Sequence, residues 1–384
     1  MSIFVTGATG YLGSYAVERL LRTTDQRLSL LVRAKDVQGA RERLWQSLQL
    51  HMGFEEFREH LATRIDVYVG DLTAMRLGLD AERYGRLLKG TESVLHVAAA
   101  LNRMSARLCH DVNLRGTLEI VELVRAIDAM HGVRRFSFVS TTAVAGERQD
   151  ETIYEDSAID FGRKDYDPYA RTKKFCEHMI ARTLPEVPIA IYRPAIVMGD
   201  TRFAATSQFD MVRATAMLAR MKVLPLDPGA RQDIVPADFV GHAIADLHMK
   251  PELRYGIYHL SAGHGSKTNA ELMRELRLGG KPLRYAFMPR LGAPFGTTAG
   301  LAAASPRGLG VSYAGALLKG FWPYVTFNTI FDNNRVIEEL GQVPAPFTQY
   351  GSALLDFAIE HGFEYPHEPW PAGPPGAEVS SSPA

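Results

Sequence analysis

The tightest constraint on this chain lies at its N-terminus. An apolar run, Ile3 to Thr6, passes without a spacer into Gly7-Ala8-Thr9-Gly10-Tyr11-Leu12-Gly13, and apolar residues at helical spacing follow from Leu12 to Leu21. Few folded settings accept a strand that turns at glycine straight into an amphipathic helix. The first glycine permits the tight turn, the second lets backbone N–H groups approach a pyrophosphate, and the third allows helix to pack closely on strand. The spacing is GxxGxxG, one residue longer than GxGxxG, and its place between a first strand and a helix gives it meaning. A dinucleotide-binding turn is expected here.

The same alternation continues along the chain. Short apolar or β-branched runs occur at Leu28 to Val32, Ile65 to Val69, Ser93 to Val97, Phe136 to Ser140 and Ile189 to Tyr192, with helical spacing at Leu118 to Ile127 and Tyr169 to Ile180. Apolar strands alternating with helices argue for a parallel sheet covered on both faces. The expected fold is α/β, a Rossmann-type doubly wound parallel sheet with a smaller C-terminal α/β substrate lobe. Residues 1–200 are assigned to the nucleotide-binding domain with its sheet and catalytic helix. Residues 201–365 form the lobe, interleaved with the sheet edge, where Gly256 to Leu260 reads as a strand and Asn269 to Leu276 as a helix. Leu291 to Tyr324, rich in Gly, Ala and aromatics, reads either as a mobile apolar lid or as irregular core. Residues 366–384, rich in Pro, Gly and Ser, are expected to be a disordered tail.

Composition removes several functional classes. The 384 residues carry 43 Lys+Arg against 43 Asp+Glu, so nothing favours nonspecific binding to nucleic acid or to an anionic membrane. Two cysteines, Cys109 and Cys176, cannot build a disulfide framework or supply four metal ligands, and no CxxC or HExxH spacing occurs. No metal is expected. The opening MSIFVTGATG lacks the charged n-region and apolar length of a signal peptide, and no stretch reaches the roughly 18 uninterrupted apolar residues of a membrane span. A mature protein that starts here and works in the cytoplasm is the expectation.

Three further features carry chemistry. The second strand ends at Arg33, where an NAD site usually presents Asp or Glu to the ribose 2′-hydroxyl; a guanidinium fork suits a 2′-phosphate instead, so the expected cofactor is NADPH, with Arg43 as a second phosphate ligand. Tyr169 and Lys173 stand at i and i+4 in YARTK and project from one helix face. A phenol beside an ammonium can have a lowered pKa and so donate a proton to a carbonyl oxygen that receives hydride. The strand Phe136 to Ser140 runs into Thr141-Thr142, which brings hydroxyls to the C-terminal sheet edge to hold that oxygen.

Together these residues resemble the extended short-chain dehydrogenase/reductases, whose signatures are TGATGYLG, Gly-Asp-Leu after the third strand, and Ser/Thr with YxxxK. A narrower resemblance rests on Val69-Gly70-Asp71-Leu72 with Leu77-Gly78-Leu79, His96 with Ala98 to Ala100 and Asn102, and Asn113 with Gly116-Thr117. Arg193-Pro194 before Gly199-Asp200, and Asp233 to Phe239 as DIVPADF, complete it. These look like the thioester reductase branch, which includes the reductase domains of carboxylic acid reductases and nonribosomal peptide synthetases and the alcohol-forming fatty acyl-CoA reductases. The resemblance runs from residue 1 to roughly 260. It implies that Gly7, Thr9, Gly10, Tyr11, Leu12 and Gly13 bind the pyrophosphate, that Arg33 and Arg43 meet the 2′-phosphate, and that Asp71 and Leu72 flank the adenine. It places Ala98, Ala99 and Ala100 along the cofactor's centre, Lys173 on the nicotinamide ribose, and Pro194, Ala195, Ile196 and Val197 along the nicotinamide. Thr141 matches the catalytic Ser/Thr, with Ser140 and Thr142 left open, and Asn113 is assigned to the cofactor site through the active-site helix or a water. Where the branch commonly has His-Asn-Ala-Ala, this chain has His96-Val97-Ala98-Ala99. The sequence holds no adenylation or carrier domain, so a thioester would arrive on coenzyme A or on an acyl carrier protein in trans.

The remaining polar and aromatic residues have plainer roles. His96 is expected to be a core or cofactor-proximal group without a catalytic role. The acidic residues Asp150, Glu151, Glu155, Asp156 and Asp160 read as a solvated loop, and His242 and His248 have no evident ligand partner. Phe321-Trp322-Pro323-Tyr324 could contact an acyl chain or pack on the lobe. The expected activity is NADPH-dependent reduction of an acyl thioester to an aldehyde, and on to the alcohol if a second hydride follows. Its rivals are a ketone or aldehyde reductase acting on a polyketide- or sterol-like carbonyl, a sugar-nucleotide epimerase, which Arg33 disfavours, and a non-enzymatic NADP(H) sensor, which would not need the Tyr/Lys pair.

Overall fold

The computed structural model describes residues 2–303, 311–326 and 328–371. Its centre is one parallel sheet built from β1 (Ser2–Thr6), β2 (Arg27–Val32), β3 (Ile65–Val69), β4 (Thr91–His96), β5 (Arg135–Val139), β6 (Ile189–Pro194) and β7 (Ile257–Leu260). The strand order is β7-β6-β5-β4-β1-β2-β3, so the chain winds outward from β1 in both directions. The crevice between β1 and β4 is the switch point where such sheets bind ligands. Helices α1 (Tyr11–Thr23), α2 (Val37–Leu48), α3 (Phe54–Thr63), α4 (Ala81–Gly90), α5 (Ala106–Cys109), α6 (Gly116–His131), α7 (Pro168–Thr183), α8 (Asp210–Arg220) and α9 (Ala237–Met249) follow in chain order, with π-helical turns at His110–Arg115 joining α5 to α6.

Every residue of β1 is buried, because the two faces of the sheet are both covered. Ile3 and Val5 pack with Ala16, Val17 and Leu20 of α1, Leu44 of α2 and Ile244 and Leu247 of α9. Phe4 points the other way, into a core with Ile120, Val124 and Ile127 of α6 and Cys176 and Ile180 of α7. The period of two in side-chain direction thus divides a single apolar run between two layers.

The second lobe has its own core. Helix α8, with α10 (Asn269–Glu275), α11 (Gly292–Ala303), α12 (Val311–Thr326), α13 (Asn334–Leu340) and α14 (Phe347–Glu360), follows Met198 in the chain. Met211, Val212, Leu272, Leu276, Leu317, Phe321, Phe347, Leu354 and Leu355 fill the lobe core. The expected lid or irregular stretch is a pair of adjacent helices, α11 and α12, whose Leu317 and Phe321 belong to that core. Residues 237–260 lie on the lobe side of position 200 but return to the sheet as α9 and β7. The acidic loop also differs from its expectation: Glu151–Ile153 pairs in parallel with Thr329–Phe331, and Glu155 is buried, accepting from the backbone N–H of His259 at 2.7 Å and of Arg335 at 3.1 Å. Burial pushes the Glu155 carboxyl up to about 7. The start of the stretch expected to be disordered is packed instead: Trp370 stands edge-on to Phe54 and Phe57 of α3, and Glu368 N donates to Gln49 Oε1. The remainder of that tail lies outside the described residues.

Candidate active site

A cavity of ≈ 570 Å³ opens at the C-terminal edge of the sheet, between β1 and β4 and under the lobe. Its floor is the glycine turn. Gly7 has φ +79°, and a Cβ there would stand 2.5 Å from Ala98 N; a Cβ on Gly13 would stand 1.9 Å from Gly7 O. Only glycine lets the turn lie flat against the exit of β4 and lets α1 start so close to it. The residues present therefore fit a dinucleotide, whose phosphates need this close backbone approach.

The cavity gathers nearly all of the residues expected at the cofactor: Gly7, Thr9, Gly10, Tyr11, Leu12, Gly13, Arg33, Arg43, Asp71, Leu72, Ala98 to Ala100 and Pro194 to Val197 all line it. Arg33 and Arg43 are exposed at one end, where the Arg43 guanidinium donates to the Arg33 carbonyl. Asp71 is held by the backbone N–H and hydroxyl of Thr73, both at 2.8 Å, and these bonds lower its pKa. Asn113 is the exception. It is buried away from the cavity lining, where its Oδ1 accepts from Ala100 N at 2.7 Å and its amide donates to Thr172 Oγ1 at 3.0 Å. It ties the Ala98–Ala100 segment to α7, the active-site helix it was expected to support.

Thr141, Tyr169 and Lys173 line the same cavity. Strand β5 ends beside α7, whose N-cap Asp167 accepts from Ala170 N at 2.8 Å, with Pro168 in the first turn. The three hydroxyls left open in the sequence now separate. Ser140 donates to Glu177 Oε1, Thr142 opens the 3-10 turn Thr142–Ala145, and Thr141 Oγ1 accepts from Ala143 N at 3.2 Å and favours ionisation of the Tyr169 phenol. Glu177 in turn binds Arg193 through Nε at 3.0 Å and Nη2 at 2.6 Å, a buried pair that joins α7 to β6.

The electrostatics differ from the sequence expectation. Burial pushes the Tyr169 phenol up to about 12, with the Arg103 cation the largest opposing influence. Lys173 is pushed down to about 8 by burial, and its ammonium donates to Val139 O at 2.7 Å, 4.4 Å from the centre of the Phe138 ring. A second cation, Arg103, lies over the Tyr169 ring, with Cζ 5.8 Å from the ring centre. Its Nε lies 3.2 Å from Asp167 Oδ2, and its Cζ sits 4.7 Å from the Phe321 ring and 5.0 Å from that of Tyr324. The Tyr324 hydroxyl donates to Asp167 Oδ2 at 2.9 Å, and its ring stacks on Tyr166. Within the aromatic run, Phe321 belongs to the lobe core, and Phe321, Pro323 and Tyr324 line the cavity. Sequence reasoning missed Arg103 and Asp167. An Asp directly before Pro at a helix start signals an N-cap and could have marked Asp167. Nothing local marks Arg103.

Among the other histidines, His96 is a core group. Its Nδ1 meets Thr6 Oγ1 at 2.6 Å and its Nε2 meets Thr117 Oγ1 at 3.1 Å, and burial pushes its pKa well below the ordinary value. His248 bridges Ser93 and Ser137. Among the described residues no cluster of His, Cys, Asp and Glu is arranged to hold a metal, and no helix is long and apolar enough to cross a membrane.

Known proteins resemble this chain in sequence and fold. Residues 5–244 match the NAD-binding family described as male sterility protein. Isonitrile lipopeptide synthase of Mycobacterium tuberculosis is 30% identical over 275 residues, covering 64% of this chain and 11% of that protein. Aldehyde reductase lnaA of Aspergillus flavus is 28% identical over 270 residues, covering 67% of this chain and 25% of that protein. The chain therefore spans only a small part of the length of these relatives. The crystal structure of the terminal R domain from the myxalamid PKS-NRPS biosynthetic pathway superposes with a TM-score of 0.79 at 27% identity, covering 94% of this chain and 91% of that one.

Proposed function

Because the chain belongs to the male sterility protein family and is an NAD(P)-dependent oxidoreductase, we propose that it uses NADPH to reduce an acyl thioester. The product is an aldehyde, which a second hydride, where one follows, would carry to the alcohol. The observation that carries the reading is that Thr141, Tyr169 and Lys173 line the same cavity as Arg33 and Arg43.

The glycine turn would hold the pyrophosphate, Arg33 and Arg43 the 2′-phosphate, Asp71 and Leu72 the adenine, Lys173 the nicotinamide ribose and Pro194 to Val197 the ring. When bound, the reduced nicotinamide supplies a hydride. The chain's own residues act on the oxygen: Thr141 donates a hydrogen bond to the carbonyl oxygen as it gains charge, and Tyr169 Oη gives it a proton. Collapse of the resulting hemithioacetal releases the thiol and the aldehyde. The thioester would come on coenzyme A or on an acyl carrier protein, a reading supported by the similarity to isonitrile lipopeptide synthase and to an R domain of a PKS-NRPS pathway.

The test is loss of reduced-nicotinamide absorbance against medium and long acyl-CoA thioesters, the matching aldehydes and bulky ketones, with products identified by mass spectrometry. Consumption with acyl-CoA supports the proposal, and the aldehyde-to-alcohol ratio gives the electron count. Consumption with aldehydes or ketones alone would replace it by the carbonyl reductase reading.

A further inference from the structure

We propose that Leu101, Met104 and Leu108, on the loop after β4 and the first turn of α5, form a subsite at the rim of the catalytic cavity that seats the aliphatic chain of the acyl group. The inference rests on the thioester reading of the cavity and adds to it where the acyl chain runs. These three large apolar side chains stand 47%, 56% and 41% exposed within eight residues. One exposed leucine is ordinary, but a cluster at the edge of a ligand cavity marks a binding surface. Leu101 and Leu108 also line the cavity that holds Thr141 and Tyr169, so the strip continues that cavity outward to Met104.

The loop is built into this shape. Asn102 Oδ1 accepts from Met104 N at 3.1 Å, the Asn102 carbonyl accepts from Ser105 N at 3.2 Å, and Ser105 Oγ accepts from Leu108 N at 3.2 Å. Beneath it the buried Cys109 thiol donates to Asn102 O at 3.2 Å, and Ala100 N is fixed by Asn113. With its backbone groups tied down in this way, the loop holds the three side chains outward, and a bound alkyl chain would remove their apolar surface from water without reordering the loop. A thioester has two arms of opposite character, and the cavity lining divides in the same sense. Apart from Arg103, which is paired with Asp167, the stretch from residue 101 to 112 lines it with apolar side chains alone, Leu101, Leu108 and Val112; the lobe brings in the polar Gln208, Asp210 and Arg231. The amide-bearing arm on the sulfur side suits the polar set, and an alkyl chain suits the apolar one. A methylene wholly removed from water gains about fourfold in affinity, and one resting on a half-open strip gains about twofold.

The test is equilibrium binding, read without turnover. Saturated acyl-CoA thioesters of four, eight and twelve carbons are titrated calorimetrically into the full chain in the absence of reduced cofactor. Affinity should rise about twofold per methylene between eight and twelve carbons, about sixteenfold over that step. Leu101→Gln, Met104→Gln and Leu108→Gln together should cut the ratio of twelve-carbon to four-carbon affinity by about tenfold or more. If that variant does not fold, Met104→Gln alone, at the most exposed of the three positions, should cut it by about threefold. Equal affinities along the series, an unchanged ratio in the folded variant, or weakening by one common factor at every chain length overturns the proposal. A dimer that the triple variant turns into a monomer overturns it as well, because a second copy would then cover the strip. A protein that binds as expected but reduces no acyl-CoA counts against the proposed activity alone, and one that reduces the four-carbon thioester yet gains nothing from chain length counts against the subsite alone.

Discussion

The buried pair Glu177–Arg193 should reveal itself as an asymmetry between removing one partner and removing both. The two side chains are 3% and 5% exposed, and their contact is bidentate, with Ser140 as a third partner on the carboxylate. Glu177→Ala leaves a guanidinium buried without a counter-charge, which costs about 3–5 kcal/mol. Replacing both with Met removes the charge and keeps the volume, so the remaining loss is chiefly the stranded Ser140 hydroxyl, about 1 kcal/mol. The double variant should therefore be more stable than the single one by at least about 2 kcal/mol, which is opposite to additivity. Urea unfolding followed by circular dichroism compares Glu177→Ala with the double variant, and Glu177→Met and Arg193→Met as single variants close the cycle. If Glu177→Ala costs less than about 1 kcal/mol, or if the double variant is less stable than Glu177→Ala, the carboxylate is not what makes the buried guanidinium tolerable, and α7 is fastened to β6 by something other than this pair.

Three further outcomes follow from the site. Tyr169→Phe should abolish turnover and leave NADPH affinity, measured by fluorescence, within a factor of about two; retained turnover would remove the phenol from the chemistry. Arg33→Ala should lower the ratio of NADPH to NADH efficiency by roughly tenfold or more, and an unchanged ratio would free the guanidinium from the 2′-phosphate. Asp233 lines the cavity, is 6% exposed and accepts from Ala262 N at 2.7 Å, and burial pushes its carboxyl up to about 7. Its folded pKa lies above the unfolded value, so its contribution is fully present below the unfolded pKa and is lost as pH rises from about 4 to 7, at no more than about 1.4 kcal/mol per pH unit. Asp233→Asn should thus gain stability relative to the parent protein over that window, and a difference that is flat with pH would contradict the buried-acid reading.

The sheet was the most legible part of the chain because its signals are local. Ile65 to Val69 is the third strand residue for residue, and Leu28 to Val32 differs from the second by one position. Such runs are apolar throughout because two layers cover them, so pattern and burial agree. The glycine turn and the Tyr169/Lys173 spacing were legible for the same reason: each requirement acts across a few neighbouring residues. The lobe was harder to read, since several of its strands are two-residue bridges such as Arg231–Gln232 and Lys267–Thr268, paired at distance rather than by run length. The Arg103 setting needs residues 103, 167, 321 and 324 together, and no window contains them. Ser140 and Thr141 could not be told apart until Glu177, far along the chain, claimed one of them. Trp370 illustrates the reverse error: a Pro- and Gly-rich composition reads as tail, yet one indole with Phe54 and Phe57 to rest on anchors the segment.

The return of the chain to the sheet at residues 237–260 changes how this protein could be re-engineered. The lobe is two inserts, one leaving after β6 and coming back at α9, the other leaving after β7, and both depart beside the Pro194–Val197 segment. A chimera joined once near residue 200 would import foreign versions of α9 and β7, and with them the side chains that close one sheet face over Ile3 and Val5. Grafting a new acyl specificity therefore calls for two separate exchanges, with the native α9 and β7 left standing between them.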